Sequence, residues 1–346
     1  MNAAAEGVAL RCAGVTKIFD DAVALHGFDL TLRSGTLMAL LGPSGCGKTT
    51  ALRVIAGFEA PAAGEVWVGD RPVAGGGEWV PPEKRRIGMV FQEWALFPHL
   101  DVWHNIAFGL DRDDERVTDV IEMMDLNGFE RRMPHELSGG QQQRVALGRA
   151  LAPSPEVVLL DEPFSNLDAT LRASVRAEVA QLLHDVKATA IFVTHDQEEA
   201  LAMADEVAVM VQGRVLQVGS PHEVYGSPSS RRVASLVGEA NFLRANVGRG
   251  RASTALGAIA APGVPDGEAE VLVRPEAIEL VFDEVGDARI VRTEFYGHDQ
   301  LVTAQLADGT VVNVRLLGPH PELRVDARVR ARLAGQARFF SNGVPV

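Results

Sequence analysis

Short apolar runs alternate with helix-period segments over the first two-thirds of the chain. Residues 8–70 read as strands joined by turns, then a helix. LMALL (37–41) is apolar without interruption and predicts a strand buried on both faces. The glycine loop GPSGCGKTT follows at 42–50, and TALRVIAGF then sets Leu52, Ile55 and Ala56 on one helical face. GEVWVGD (64–70) alternates as an edge strand does and ends in a Gly-Asp turn, and RIGMVFQ (86–92) predicts another strand. From about 95 to 150 the period turns helical (VWHNIAFGL, RVTDVIEMMDL, LSGGQQQRVALGRAL), which predicts a helical insertion. Strand and helix alternation resumes with EVVLLDEP (156–163), a helix over 169–186, TAIFVTHD (189–196), the helix QEEALAMAD and EVAVMVQGRVLQVG. That order predicts an α/β unit with a mostly parallel sheet covered on both faces.

Beyond about residue 237 the pattern changes. A Gly/Ala-rich stretch, GRGRASTALGAIAAPGVPDGEAE, is followed by short β patterns, including LVTAQLADGTVVNVRLLG with an Asp-Gly hairpin turn at 308–309. Several short strands with turn signals predict a small β-barrel domain. The expected division is therefore 1–236, with its helical part at about 95–150, and 237–346.

Composition sharpens this only modestly. Of 346 residues 47% are hydrophobic and 23% charged, as in an ordinary globular protein. No apolar run reaches the roughly 18 residues that a membrane span needs, and MNAAAEGVALRC lacks the layout of a secretory signal. A cytoplasmic chain is expected, with any membrane role exerted through a partner. The two cysteines, Cys12 and Cys46, supply neither a disulfide framework nor a zinc site. A formal charge of −13 disfavours sequence-independent nucleic-acid binding; EKRR (83–86) is one candidate for a local basic patch, although such a run is most often a solvated turn.

The candidate chemistry lies at strand ends. GPSGCGKTT fits G-x-x-x-x-G-K-[ST], a nucleotide phosphate loop. Its glycines free backbone N–H groups to wrap phosphates, and the following helix start adds positive potential. Lys48 is expected to reach the β- and γ-phosphates, and the Thr49 hydroxyl to meet Mg²⁺. VVLLDEP puts Asp161 and Glu162 at the C-terminal end of a buried strand, the edge where open α/β sheets bind ligands. Asp161 suits Mg²⁺, and Glu162 suits a general base polarising the attacking water; the alternative is a helix-capping acid pair. His195 ends the apolar strand AIFVT, where an imidazole can organise that water or donate to the γ-phosphate, or simply be structural. Gln92 ends IGMVF, within reach of Mg²⁺ or the water. In LSGGQ, Ser138 and Gln141 match the S-x-x-Q capping box, which leaves the paired Gly139 and Gly140 without a local reason. Two glycines at a helix start let an anion approach closely, so the turn can serve as cap, anion site or both.

In this order the motifs resemble the ATP-binding cassette ATPases, over about residues 8–236: the loop at 42–50, Gln92, LSGGQ at 137–141, VVLLDEP at 157–163, SNLD at 165–168 and His195. The resemblance implies a P-loop NTPase cassette with an antiparallel β subdomain and a helical insertion. It also implies a homodimer in which each ATP lies between one copy's phosphate loop and the other's signature. Gly42, Pro43, Ser44, Gly45, Cys46, Gly47, Lys48, Thr49 and Thr50 would then hold ATP. Phe19 would stack on adenine, where many relatives have tyrosine; its alternative is a strand-end core aromatic. Leu137, Ser138, Gly139, Gly140 and Gln141 would act in trans, and Asp168 would couple the sites across the interface. Thr49, Gln92 and Asp161 would serve Mg²⁺.

PPEKRRIGMVFQ, ALFPHLDVWHNIAFGL and the C-terminal β patterns narrow the resemblance to ATPase subunits of binding-protein-dependent importers with an oligonucleotide-fold-like TOBE regulatory domain. The implied partners are two membrane permease subunits and, indirectly, an extracytoplasmic solute-binding protein. The implied location is the cytoplasmic face of the membrane. Trp94, Leu96, Phe97 and Pro98 would face the permease, although core packing explains some of them equally well. The 91–110 segment and the overall length tilt the solute toward ferric iron, with polyamine, thiamine, sulfate and sugar as alternatives. A soluble cassette of DNA repair or translation, usually with two cassettes, a coiled coil or basic arms, fits this acidic single-cassette chain less well. So does an exporter, because many exporters fuse the cassette to membrane helices.

Overall fold

Why the apolar runs are continuous is visible in the computed structural model, which describes residues 7–20, 22–110, 114–165, 169–341 and 344–345. The chain divides into two units, Met1–Pro221 and His222–Val346. In the first, an antiparallel sheet is formed by β1 (Val8–Phe19), β2 (Ala22–Arg33), β4 (Ala63–Val68), β5 (Arg71–Gly75) and β6 (Glu78–Trp79), ordered β2-β1-β4-β5-β6. A second sheet holds β3 (Leu37–Leu41), β7 (Ile87–Val90), β8 (Val157–Asp161), β9 (Ala190–Thr194), β10 (Glu206–Val211) and β11 (Arg214–Gly219). Its order is β11-β10-β3-β9-β8-β7, parallel except for the β10–β11 hairpin. All five residues of β3, β8 and β9 are buried, which is why their sequences carry no polar alternation. β4, expected as an edge strand, instead lies between β1 and β5. Its alternation reflects one covered face, not a free edge.

The helices of this unit are α1 (Lys48–Ala56), α2 (Val102–Ala107), α3 (Asp114–Met123), α4 (Gly139–Leu151), α5 (Ala169–Asp185) and α6 (Gln197–Met203). α1 starts directly from the glycine loop and buries Leu52, Val54, Ile55 and Ala56. Its C-terminus is capped from within. Gly57 takes φ 92°, and Arg85, 1% exposed, donates from Nη1 to the carbonyls of Val54 and Ile55 at 2.8 Å and from Nε to Val80 at 2.7 Å. A cation at a helix C-terminus is favoured by the helix dipole. Burial lowers the Arg85 pKa to about 10, so the guanidinium stays charged at neutral pH. The EKRR run is thus not wholly a solvated turn; Arg85 belongs to the interior that anchors the loop-bearing helix.

The second unit carries α7 (Pro221–Gly226), α8 (Arg231–Leu236) and two antiparallel sheets. One contains β12 (Asn241–Gly248), β13 (Arg251–Thr254), β14 (Gly257–Ala260), β15 (Gly267–Val273), β21 (Ala337–Ser341) and β22 (Val344–Pro345). The other contains β16 (Ile278–Phe282), β17 (Ala288–Phe295), β18 (Asp299–Gln305), β19 (Val311–Leu317) and β20 (Arg328–Leu333). They share one core, with Val247, Val271 and Phe339 from the first sheet and Ile290, Val302 and Val314 from the second. The division at 221/222 falls ahead of the 236/237 boundary expected from composition. Arg274 draws the α7–α8 segment into this unit, donating to the carbonyls of Tyr225, Ala234, Gly238 and Glu239.

Candidate nucleotide site

Parallel pairing brings four chain segments to one sheet edge. Leu41 pairs with Thr194, Asp161 with Val193, and Val90 with Leu160, so β3, β9, β8 and β7 end together. The glycine loop leaves β3 there, Glu162 follows β8, His195 follows β9, and Gln92 lies two residues past β7, exposed.

The loop is shaped by its glycines. Gly45 and Gly47 adopt φ 76° and 105°, a region costly to side chains. A Cβ on Gly42 would come within 2.3 Å of the Met210 carbonyl, and one on Gly47 within 2.5 Å of the Ala24 carbonyl. The Gly213 N–H donates to the Cys46 carbonyl at 2.8 Å, pinning the loop to the β10–β11 turn. Cys46 is buried and reduced; burial raises its thiol pKa against the lowering influence of Lys48. Lys48, 5% exposed, folds back and donates to the carbonyls of Gly42 at 2.7 Å and Pro43 at 3.0 Å. Those weak acceptors fit a cation standing where phosphate oxygens would be better partners.

The Thr49 hydroxyl donates to Asp161 Oδ1 at 3.1 Å, joining the two expected hard-oxygen ligands. Burial raises the Asp161 pKa; the neighbouring Glu162 charge adds to this, while Thr49, Arg53 and Lys48 oppose it. A carboxylate whose charge is disfavoured by burial, despite these partners, suits an incoming cation. Glu162 takes φ 44°, a conformation costing a non-glycine residue about 1–3 kcal/mol, and its carbonyl accepts from the Ser165 hydroxyl at 3.0 Å. Its Oε1 lies 3.4 Å from His195 Nδ1. Acid and imidazole, expected separately from two strand ends, therefore face each other.

Phe19 ends β1, 40% exposed, with Lys17 Nζ 4.6 Å from its ring centroid. An exposed ring excludes the strand-end core reading. At the signature turn both halves of the capping box form: Gln141 N–H donates to Ser138 Oγ, and Ser138 N–H to Gln141 Oε1 at 3.0 Å. Leu137 is buried, and Gly139 and Gly140 are helical without positive φ, so backbone freedom is not what requires glycine there. Asp168 lies outside the described residues.

Two polar residues organise the segment after Gln92 and left no motif in the sequence. Trp94 and Ala95 take φ 58° and 46°, and Arg149 of α4 donates to both their carbonyls, at 2.9 and 2.7 Å. Asn105, fully buried, accepts from Phe97 N–H and donates to the carbonyls of Phe97, Leu100 and Asp101. Only a pattern of polar residues on otherwise buried helix faces hinted at either.

A glycine loop, a lysine under it and a carboxylate–histidine pair at one parallel-sheet edge define a P-loop nucleotide hydrolase. Residues 25–165 match the family model for ABC transporters, and residues 271–340 match that for the TOBE domain. A "Fe(3+) ions import ATP-binding protein" of Rhodococcus jostii (strain RHA1) is 48% identical, covering 95% of this chain and 98% of the relative. A "Spermidine/putrescine import ATP-binding protein" of Rubrobacter xylanophilus is 45% identical, over 87% of this chain and 85% of the relative. Among solved structures, cbiO1 of Clostridium perfringens, part of an ABC transporter complex, aligns with a TM-score of 0.58 at 27% identity, covering 64% of this chain and 92% of that one. The dimeric, ADP- and Pi-bound cassette MJ0796 aligns at 0.52 and 28%, covering 61% and 98%. The chain belongs to the ABC transporter family, as an import-type ATP-binding subunit with a C-terminal TOBE domain, and it is an ATPase. Among the described residues no helix is long and apolar enough to cross a membrane.

Proposed function

We propose that this chain is the motor of a ferric iron importer, a homodimer closing on two ATP at the cytoplasmic face of the membrane to drive two permease subunits. The observation that carries the motor is the sheet edge itself, where Lys48, Asp161, Glu162 and His195 converge. Iron is supported by relatives from Rhodococcus jostii, Mesorhizobium japonicum and Serratia marcescens that carry an iron-import name at 42–48% identity. Polyamine import is the second reading, favoured by the relative from Rubrobacter xylanophilus at 45%.

In the proposed cycle ATP replaces the Gly42 and Pro43 carbonyls as the partner of Lys48, with the 42–50 backbone around its phosphates and Phe19 against its base. Thr49 and Asp161, with Gln92 as the further ligand, would hold Mg²⁺, which supplies charge neutralisation on the phosphates. Glu162 takes a proton from the attacking water as its oxygen bonds to the γ-phosphorus. The bond from that phosphorus to the β–γ bridging oxygen breaks, and ADP leaves with the electron pair. His195, beside Glu162, orients the water or donates to the γ-phosphate.

The signature is read as the partner copy's contribution. The test mixes subunits bearing Lys48→Ala and Ser138→Arg. One composite site then has both defects and the other neither, so the mixture is expected to exceed both mutant homodimers in turnover. Activity no higher than either would count against sharing. For the solute, co-expression with the cognate permeases is expected to give ATP-dependent ⁵⁵Fe³⁺ uptake; spermidine uptake instead would favour the second reading.

A further inference from the structure

Behind the Glu162–His195 pair is a cavity of about 100 Å³ lined by Glu162, Ser165, Arg172, Thr194, His195, Asp196 and Glu199. Two of these, Thr194 and Glu199, are buried, at 2% and 6% exposure, and neither is used by the cycle above. Their hydrogen bonds have a fixed direction. The Asp196 N–H, which can only donate, gives its proton to Thr194 Oγ1 at 2.9 Å. The Thr194 hydroxyl in turn donates to Glu199 Oε2 at 2.6 Å. The ring closes through Asp196 Oδ1, which accepts from the N–H groups of Glu198 at 2.8 Å and Glu199 at 3.3 Å at the start of α6.

We infer that Thr194 and Glu199 are positioning residues, which lock the backbone on both sides of His195 and so fix its imidazole against Glu162. The inference rests on the reading of His195 as part of the hydrolytic site. Thr194 is the last residue of β9, paired with Leu41 at the start of the glycine loop, so the clasp ties His195 to the strand that carries the phosphate site. A buried carboxyl is costly unless something holds it. Burial pushes Glu199 above the usual carboxylate range and Asp196 adds to this, while the Thr194 hydrogen bond and the guanidinium groups of Arg176 and Arg172 on α5 pull the other way. An α6 whose only task was to cover the sheet would be served by an apolar side chain at 199. The carboxyl instead gives the Thr194 hydroxyl a strong acceptor, and that hydroxyl holds the residue after the histidine.

The test measures steady-state ATP hydrolysis by the full chain. Thr194→Val keeps the shape and removes the hydroxyl; it is expected to lower kcat by about 10- to 100-fold, the scale of a small misplacement of a reacting group, with KM for ATP within about twofold. Thr194→Ser is expected to restore most of the rate. Glu199→Met, similar in volume but without an acceptor, is expected to match Thr194→Val, and it carries the test should the valine variant fail to fold. In a His195→Ala background the same changes are expected to add no further loss. Wild-type kcat in the folded Thr194→Val or Glu199→Met chain, or an undiminished loss in the His195→Ala background, would overturn the positioning role. Wild-type turnover by His195→Ala alone would instead refute the histidine assignment on which the role rests.

Discussion

The sheet edge of the first unit and the interior of the second both bury polar side chains, but they use them differently. At the edge Lys48 leans on backbone carbonyls, Asp161 holds a single hydroxyl, and Glu162 sits in a left-handed conformation opposite an imidazole. These groups keep capacity for a phosphate, a cation and a water. In the second unit Asn241 accepts from Asn313 N–H at 2.7 Å and donates to the Asn313 carbonyl at 2.8 Å, while Arg274 spreads over four carbonyls and lies 4.1 Å from the Tyr225 ring centroid. Those side chains are committed to their own backbone. The partners at the site are ones that a bound phosphate, cation or water would replace, whereas Asn241 and Arg274 fasten backbone segments far apart in sequence.

The contrast breaks if substitutions in the two regions behave alike. The largest effect is expected at Lys48: Lys48→Ala removes the cation under the phosphates and should lower turnover more than about 100-fold, with a melting temperature close to that of the parent. Equal losses of stability and turnover would say that Lys48 is scaffold. Arg274→Met should do the reverse. Several carbonyls lose a charged donor at about 1 kcal/mol or more each, so the second unit should be destabilised by about 3 kcal/mol, read as faster amide exchange in β12, β15 and β21. ATP hydrolysis by the folded fraction should be unchanged.

Asp161→Asn is the subtlest case. The Asp161 pKa is raised in the folded chain above its ordinary 3.8, so the folded state holds this proton more tightly than the unfolded one. Its contribution to stability is full below that ordinary value and is lost as pH rises through the raised one. The amide variant escapes that loss. Without nucleotide it should be more stable than the parent at pH 7, with a difference that shrinks toward pH 4, while turnover collapses. A variant that is less stable at pH 7 would mean that Asp161 is structural.

How far the sequence revealed this depended on how local each device is. The glycine loop, the LDE and THD strand ends and the capping box each depend on neighbours within a few residues, so their spacing was readable and their meeting followed from the parallel sheet. Arg85, Arg149 and Arg274 were not readable as caps, because each acts on carbonyls that only the fold brings near. Arg85 reaches carbonyls 30 and 31 residues away, and Arg149 reaches 54 and 55. In a sequence such residues look like ordinary solvated charges. Thr194 and Glu199 lie only five residues apart, but their spacing alone did not say that a hydroxyl would join them beneath the histidine. β4 was read as an edge strand because alternation reports a covered face and says nothing about lateral neighbours.

The most direct test of the account is a single-turnover measurement on Glu162→Gln with radiolabelled ATP and Mg²⁺. The variant keeps the shape of the strand end and removes the proposed base. It should bind ATP with parental affinity and hold it unhydrolysed, the chemical step slowed on the order of 100- to 1,000-fold. Release of labelled phosphate at the parental rate would contradict the assignment of Glu162 and the reading of the sheet edge as the site of hydrolysis.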